Sequence, residues 1–236
     1  MTENIRINDI TIEIKRSNRR KTVEIILDRS GNPVLFAPDT LPYKKLLSLV
    51  KEKLVTIYLK QGKKMEEIHL TLPKEYVSGE GFYYLGRKYQ LKIQKKIDNE
   101  DPISRLHFQD GRFVLDEDLV TSGRDFFISW YCTQAKEWIN ERIYRLEERV
   151  LVEPTAIEIR DLGYRWGSCT RQGKINFHWR IILLPPEHID YLILHELIHL
   201  HEHNHSKEFY ERLRRASPDY EKHEEWLRRN GDRYSL

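Results

Sequence analysis

From Glu187 to His203 the chain carries Ile189, Leu192, Ile193, Leu194, Leu197, Ile198 and Leu200, apolar side chains spread nearly all round a helix. A helix without a polar face has to run through a core, so the rest of the chain must fold around it. Pro185-Pro186 breaks the preceding segment and suits a helix start, because a proline in the first turn lacks an N–H that would be unpaired there anyway. Five histidines, His195, His199, His201, His203 and His205, crowd the far end.

The surrounding sequence supplies both kinds of element. Alternating or β-branched stretches at Thr11–Ile14, Val23–Ile26 and Val34–Ala37 predict short strands, with Gly31-Asn32-Pro33 as punctuation. Leu46, Leu47, Val50, Leu54, Val55 and Tyr58 recur at three- and four-residue steps after Pro42 and predict a helix that Gly62 stops. Strand character returns from Tyr76 to Ile93, and Asp110-Gly111 centres a predicted hairpin over 106–115. Ile128, Tyr131, Ala135, Trp138, Arg142, Leu146 and Val150 predict a second long helix over 125–150, and Ala156–Ile159 with Lys174–Trp179 read as a hairpin feeding the core helix. The mixture predicts an α+β fold. With no repeat or low-complexity linker, residues 1–236 are expected to form one composite domain, with a β-rich part over 1–120 and a second part over 121–236 that carries the core helix.

Composition narrows the function classes. No apolar run approaches the roughly 18 to 20 residues of a membrane span, and Met1-Thr2-Glu3-Asn4 lacks the layout of a secretory signal, so the expected compartment is the cytoplasm. Cys132 and Cys169 are too few for a disulfide framework or a cysteine cage, so a metal site must use histidine and carboxylate. A net charge of +3 names no partner. The densest basic tract, Lys15 to Lys21, reads as a solvated hairpin turn, with phosphate binding as the lesser alternative.

The string His195-Glu196-Leu197-Ile198-His199 carries the chemistry. It has the His-Glu-x-x-His form used by zinc peptidases. Four residues advance a helix by about 6 Å and about 40° beyond a full turn, so both imidazoles leave one face and can share an ion. Glu196 is then a neighbour rather than a ligand, able to take a proton from an attacking water and return it to the leaving group. A catalytic zinc takes three protein ligands. His203 lies about 12 Å of helical rise beyond His195, too far, and His201 points to the wrong side. His205 is reached if the chain turns back, and Asn204 before it tolerates a left-handed exit. The expected ligands are His195, His199 and His205. Metzincins share the ten-residue span, but Glu202 stands where they have glycine and no methionine follows for a Met-turn.

Arg165-Trp166-Gly167-Ser168-Cys169, Asn176 to Arg180, and His195 to His199 with Asn204-His205-Ser206 and Phe209 make the chain resemble the YgjP-like zinc metallopeptidases, relatives of the SprT and Wss-type proteases. Lys15 to Lys21, Ala37-Pro38, Ser78-Gly79-Glu80 and Tyr84-Leu85-Gly86-Arg87 extend the resemblance over most of the chain. It implies a zincin-like α+β fold, Zn2+ on His195, His199 and His205, Glu196 as general base, and a peptide or protein substrate. The extra histidines at 201 and 203 depart from the pattern.

The Trp-Gly-Ser-Cys stretch reads first as a turn with Trp166 in the core, and second as an exposed strand edge that takes an extended peptide. Cys169 is expected to be inert. Tyr164, Arg165, Arg180, Tyr191 and Tyr210 are oxyanion candidates among which spacing does not choose. Two alternatives stand beside peptide hydrolysis: a metal-dependent nucleotide phosphohydrolase, and a non-catalytic zinc-stabilised module associated with nucleic acid. Against the former, the chain has no Walker-type phosphate loop.

Overall fold

The computed structural model describes residues 3–8, 10–28, 31–69, 74–95, 105–146 and 149–236, the side chains of 63–69 excepted. Its contacts divide the chain into two compact units, Met1–Leu72 and Pro73–Leu236.

The first unit has strands β1 (Glu3–Ile7), β2 (Ile10–Ser17), β3 (Glu24–Leu27) and β4 (Pro33–Pro38) in the order β1-β2-β4-β3, followed by helix α1 (Tyr43–His69). Alternation along β2 puts Ile10, Ile12 and Ile14 in a core with Ile5, Leu35, Leu46 and Val50. Two expectations need correction. Lys15 to Lys21 is not a hairpin turn, because β2 pairs in parallel with β4 and β3 pairs with the far side of β4. Burial along β4 is nearly continuous, which suits the central place and displaces β3 to the edge. Within the tract, Arg16 donates to the Leu41 carbonyl at 2.7 Å and Arg20 pairs with Glu24 at 3.0 Å. Nor does Gly62 stop α1: it is exposed inside the helix, where a lone glycine costs only about 1 kcal/mol.

The second unit is α+β. Strands β5 (Gly81–Tyr84), β6 (Arg87–Gln94), β7 (Leu106–Gln109) and β8 (Arg112–Asp116) form one sheet in the order β5-β6-β8-β7. The β7–β8 hairpin turns at Asp110 and Gly111, with φ of 51° and 72°, as the sequence predicts. Helix α2 (Gly123–Leu146) follows; the expected helix extended to 150, of which 147 and 148 lie outside the described residues. Next come β9 (Ala156–Arg160), β10 (Gly167–Cys169) and β11 (Lys174–His178) in the order β10-β11-β9. The expected hairpin of β9 with β11 is corrected to a parallel pair. The antiparallel neighbour of β11 is β10, in the stretch read first as a turn. Buried from Ile175 to His178, β11 has to be central, which leaves β9 and β10 as edges.

Three helices complete the unit: α3 (Pro186–Ile198), α4 (Lys207–Ala216) and α5 (Tyr220–Asn230). As expected, α3 is buried nearly all round, with Ile189, Ile193, Leu197 and Ile198 at 0% exposure. Its position is set from three directions. Arg142 of α2 binds Asp190 through Nε at 2.7 Å. The β5–β6 turn donates from Leu85 N to Ile182 O at 2.9 Å and from Gly86 N to Leu183 O at 3.0 Å, just ahead of the helix. Gly86 has φ of +79°, and a Cβ there would lie 2.8 Å from the Pro185 Cα, so only glycine permits this contact. Arg180, 5% exposed, donates to the carbonyls of Tyr234, Gly231 and Asp232 and ties down the carboxyl-terminal segment. No helix among the described residues is long and apolar enough to cross a membrane.

Candidate metal centre

Helix α3 ends at Ile198 rather than near His203, and this shapes the site. Leu200 and His201 bond back three residues, to Leu197 and Ile198, tightening the last turn. The reversal does not use Asn204 in a left-handed conformation, for Asn204 has no positive φ. Instead Ser206 N bonds to the Asn204 carbonyl at 2.8 Å, and the Ser206 hydroxyl caps α4 by accepting from Phe209 N at 3.3 Å. This short reversal carries His205 back over α3.

His195, His199 and His205 come together as the sequence predicts, with their nitrogens within 4.8 Å of one another. The His205 Nε2 lies 3.0 Å from that of His195 and 3.2 Å from that of His199. A tetrahedral ion with bonds of about 2.0 to 2.1 Å holds its ligand atoms about 3.3 Å apart, so this donor set fits one. The fully buried Phe209 packs under all three, its ring centre 5.0, 4.6 and 4.7 Å from those of His195, His199 and His205. His199 donates from Nδ1 to the Glu202 carbonyl at 2.8 Å, leaving Nε2 its lone pair. Burial, with the neighbouring imidazoles, pushes His195 down to about 3; burial also lowers His199 and His205. All three are therefore neutral, the form that ligates metal. His201 turns away to the Val150 carbonyl at 3.1 Å, and His203 is exposed.

Glu196 leaves the helix beside this cluster, 5% exposed, with no hydrogen-bond partner for Oε2 among the described residues. Burial pushes its carboxyl up to about 8, against the opposing charge of Arg165. An unpartnered carboxylate oxygen in such a place is a strong acceptor for a proton. Strand β10 closes over it: a Cβ on Gly167 would lie 2.5 Å from the Glu196 Oε1 and 2.7 Å from its Cδ. The glycine is thus required by close approach, which the sequence pattern alone does not reveal. A cleft of about 290 Å³ opens here, lined among others by Tyr164, Arg165, Gly167, Tyr191, Glu196 and Glu224.

Of the oxyanion candidates, Arg180 is engaged with the carboxyl-terminal carbonyls and Tyr210 packs against Phe209, while Tyr164 and Arg165 line the cleft. Tyr191 donates to Glu224 at 3.1 Å and lies 3.4 Å from the His195 Nδ1. Glu224 arrives on α5, 29 residues after His195, and no sequence signal pointed to it. Cys169 turns its thiol to the Thr170 carbonyl at 3.4 Å, and burial with the Glu196 charge pushes it up to about 11, so it stays protonated.

Residues 21–230 match the family described as YgjP-like, metallopeptidase domain. Among solved structures, the crystal structure of the metallopeptidase zymogen of Pyrococcus abyssi abylysin aligns with 37% of this chain and 89% of its own at 19% identity, with a TM-score of 0.35. No curated protein matches.

Proposed function

Since the chain belongs to the YgjP-like metallopeptidase family, we propose that it hydrolyses peptide bonds at a zinc ion held by His195, His199 and His205, with Glu196 as general base. The observation that carries this reading is the convergence of three neutral imidazoles beside one buried carboxylate oxygen without a partner. The catalytic part is read as zincin-like, built around α3 and the turn beyond it. Zinc held there would supply Lewis acidity toward a peptide carbonyl and a positive field that favours ionised Glu196.

The chain's own residues do the rest. Glu196 takes the proton of the water that attacks the scissile carbonyl and passes it to the departing amine. Gly167 lets β10 lie against that carboxylate, so a peptide added along the outer edge of β10 passes beside it. Main-chain hydrogen bonds to such an edge are tolerant of sequence, which suits unfolded protein as substrate. Arg165 and Tyr164, which line the cleft, are the donors assigned to the reacting carbonyl in this scheme.

The test is Glu196→Gln. It keeps the size and hydrogen bonding of the side chain and removes the base, so zinc content stays at the wild-type level while hydrolysis of a denatured protein falls by about 10² to 10⁴-fold. A Glu196→Gln protein with wild-type activity overturns the assignment.

A further inference from the structure

Metal-ligating histidines need a fixed tautomer, and the partner of the second ring nitrogen usually sets it. For His199 that partner is the Glu202 carbonyl. Among the described residues, His195 has no carbonyl in that place. One helical turn before it, Tyr191 is 3% exposed, and its hydroxyl is 3.4 Å from the His195 Nδ1 and 3.1 Å from the Glu224 Oε1.

We infer that Tyr191 and Glu224 are positioning residues for His195: Glu224 accepts the phenolic proton, and the phenolic oxygen is thereby turned to accept the Nδ1–H, so Nε2 faces the metal with its lone pair. The inference rests on the reading of His195 as a ligand. Geometry supports the direction of the chain. A carboxylate can only accept from the phenol, so the tyrosine oxygen keeps its lone pairs for the imidazole. The hydroxyl sits on the Nδ1 side of His195, the opposite edge from Nε2, which removes Tyr191 from the oxyanion candidates.

Helix α5 holds this pair in place. The His223 ring stacks on Tyr191 at 5.4 Å and 14°, and Trp226 stacks on His188 at 3.8 Å and 16°. Successive residues of α5 therefore grip α3 while Glu224 reaches the tyrosine. The anionic end of the chain increases electron density on the imidazole and so its strength as a ligand. On this view α5, which contributes no ligand, determines how tightly the first histidine binds.

The experiment measures zinc affinity by competition with a chromophoric chelator, and the visible spectrum of the cobalt-substituted protein, for wild type, Tyr191→Phe, Glu224→Gln and the double variant. Tyr191→Phe is expected to lower zinc affinity about 10 to 100-fold. Glu224→Gln keeps a hydrogen-bond acceptor but loses the charge, so it should fall between wild type and Tyr191→Phe. The double variant should be no weaker than Tyr191→Phe, because Glu224 acts through the tyrosine. The cobalt spectrum should shift in both single variants, which a merely structural role would not produce. Zinc affinities within twofold of wild type, with unchanged cobalt spectra, overturn the inference while leaving the metal centre intact. A His199→Ala protein that binds zinc as tightly as wild type overturns the metal centre itself and this inference with it. Should Tyr191→Phe fail to fold, the exposed Glu224→Gln decides alone: an unshifted affinity and spectrum overturn the inference.

Discussion

Replacing Gly167 with alanine tests the arrangement of the proposed base and the strand edge without replacing a proposed ligand. The new Cβ would stand 2.5 Å from the Glu196 Oε1, whereas ordinary contact begins near 3.4 Å, so the carboxylate has to retreat by roughly 0.9 Å. At 5% exposure it has little free space, and the retreat comes from rotation away from the cleft. A displacement of about 1 Å in a catalytic group costs about 10²-fold in rate, equivalent to about 2.7 kcal/mol in the barrier. Zinc content should stay at the wild-type level, because the three atoms nearest the added methyl group all belong to Glu196. The assay is kcat on an unfolded protein substrate beside zinc content by elemental analysis and Tm by calorimetry. Gly167→Ser, which adds one more atom, should be slower still. Alanine at 167 with kcat within threefold of wild type, zinc bound and Tm unchanged, would refute the close approach of β10 to the proposed general base.

Three other outcomes are expected. His205→Ala removes one of the three proposed ligands and should lower zinc affinity by about 10² to 10³-fold, read by chelator competition; an undiminished affinity would remove His205 from the site. Gly86→Ala combines a left-handed φ with a Cβ 2.8 Å from the Pro185 backbone, so it should destabilise by about 2 kcal/mol or more in urea unfolding, against a null result if the turn does not dock on the segment before α3. His188 and His223 face each other through Nδ1 atoms 3.0 Å apart, and burial lowers both, with Asp219, Glu187 and Asp190 opposing for His223. The unfolded chain therefore takes up protons first, so stability is unaffected above about pH 6.5 and falls as pH drops from there toward the lowered folded values, by up to about 1.4 kcal/mol per pH unit per group. In zinc-loaded protein His223→Gln should flatten that slope; equal slopes would show that the pair does not titrate this way.

Several features of this protein follow from local rules and were readable in its residues. Helical periodicity puts His195 and His199 on one face, and an apolar surface all round α3 demands burial wherever the rest of the chain goes. His205 lies close enough in sequence that one reversal brings it back, though how the reversal is built, through i−3 bonds and a capped α4 rather than a left-handed Asn204, was not legible. Strand partners were not legible either. The residues of β2, β3, β9 and β11 announce strands, but β4 and β11 become central because they bury most completely against elements far away in sequence. The same is true of the contacts that tune the site. Gly167 against Glu196, Glu224 against Tyr191 and Arg180 against the last carbonyls join residues separated by 29 to 54 positions. Periodicity relates neighbours within a turn or two of chain. Contacts of that length are chosen by the packing of whole elements, where burial and hydrogen bonding are satisfied together, and only the folded molecule resolves that choice.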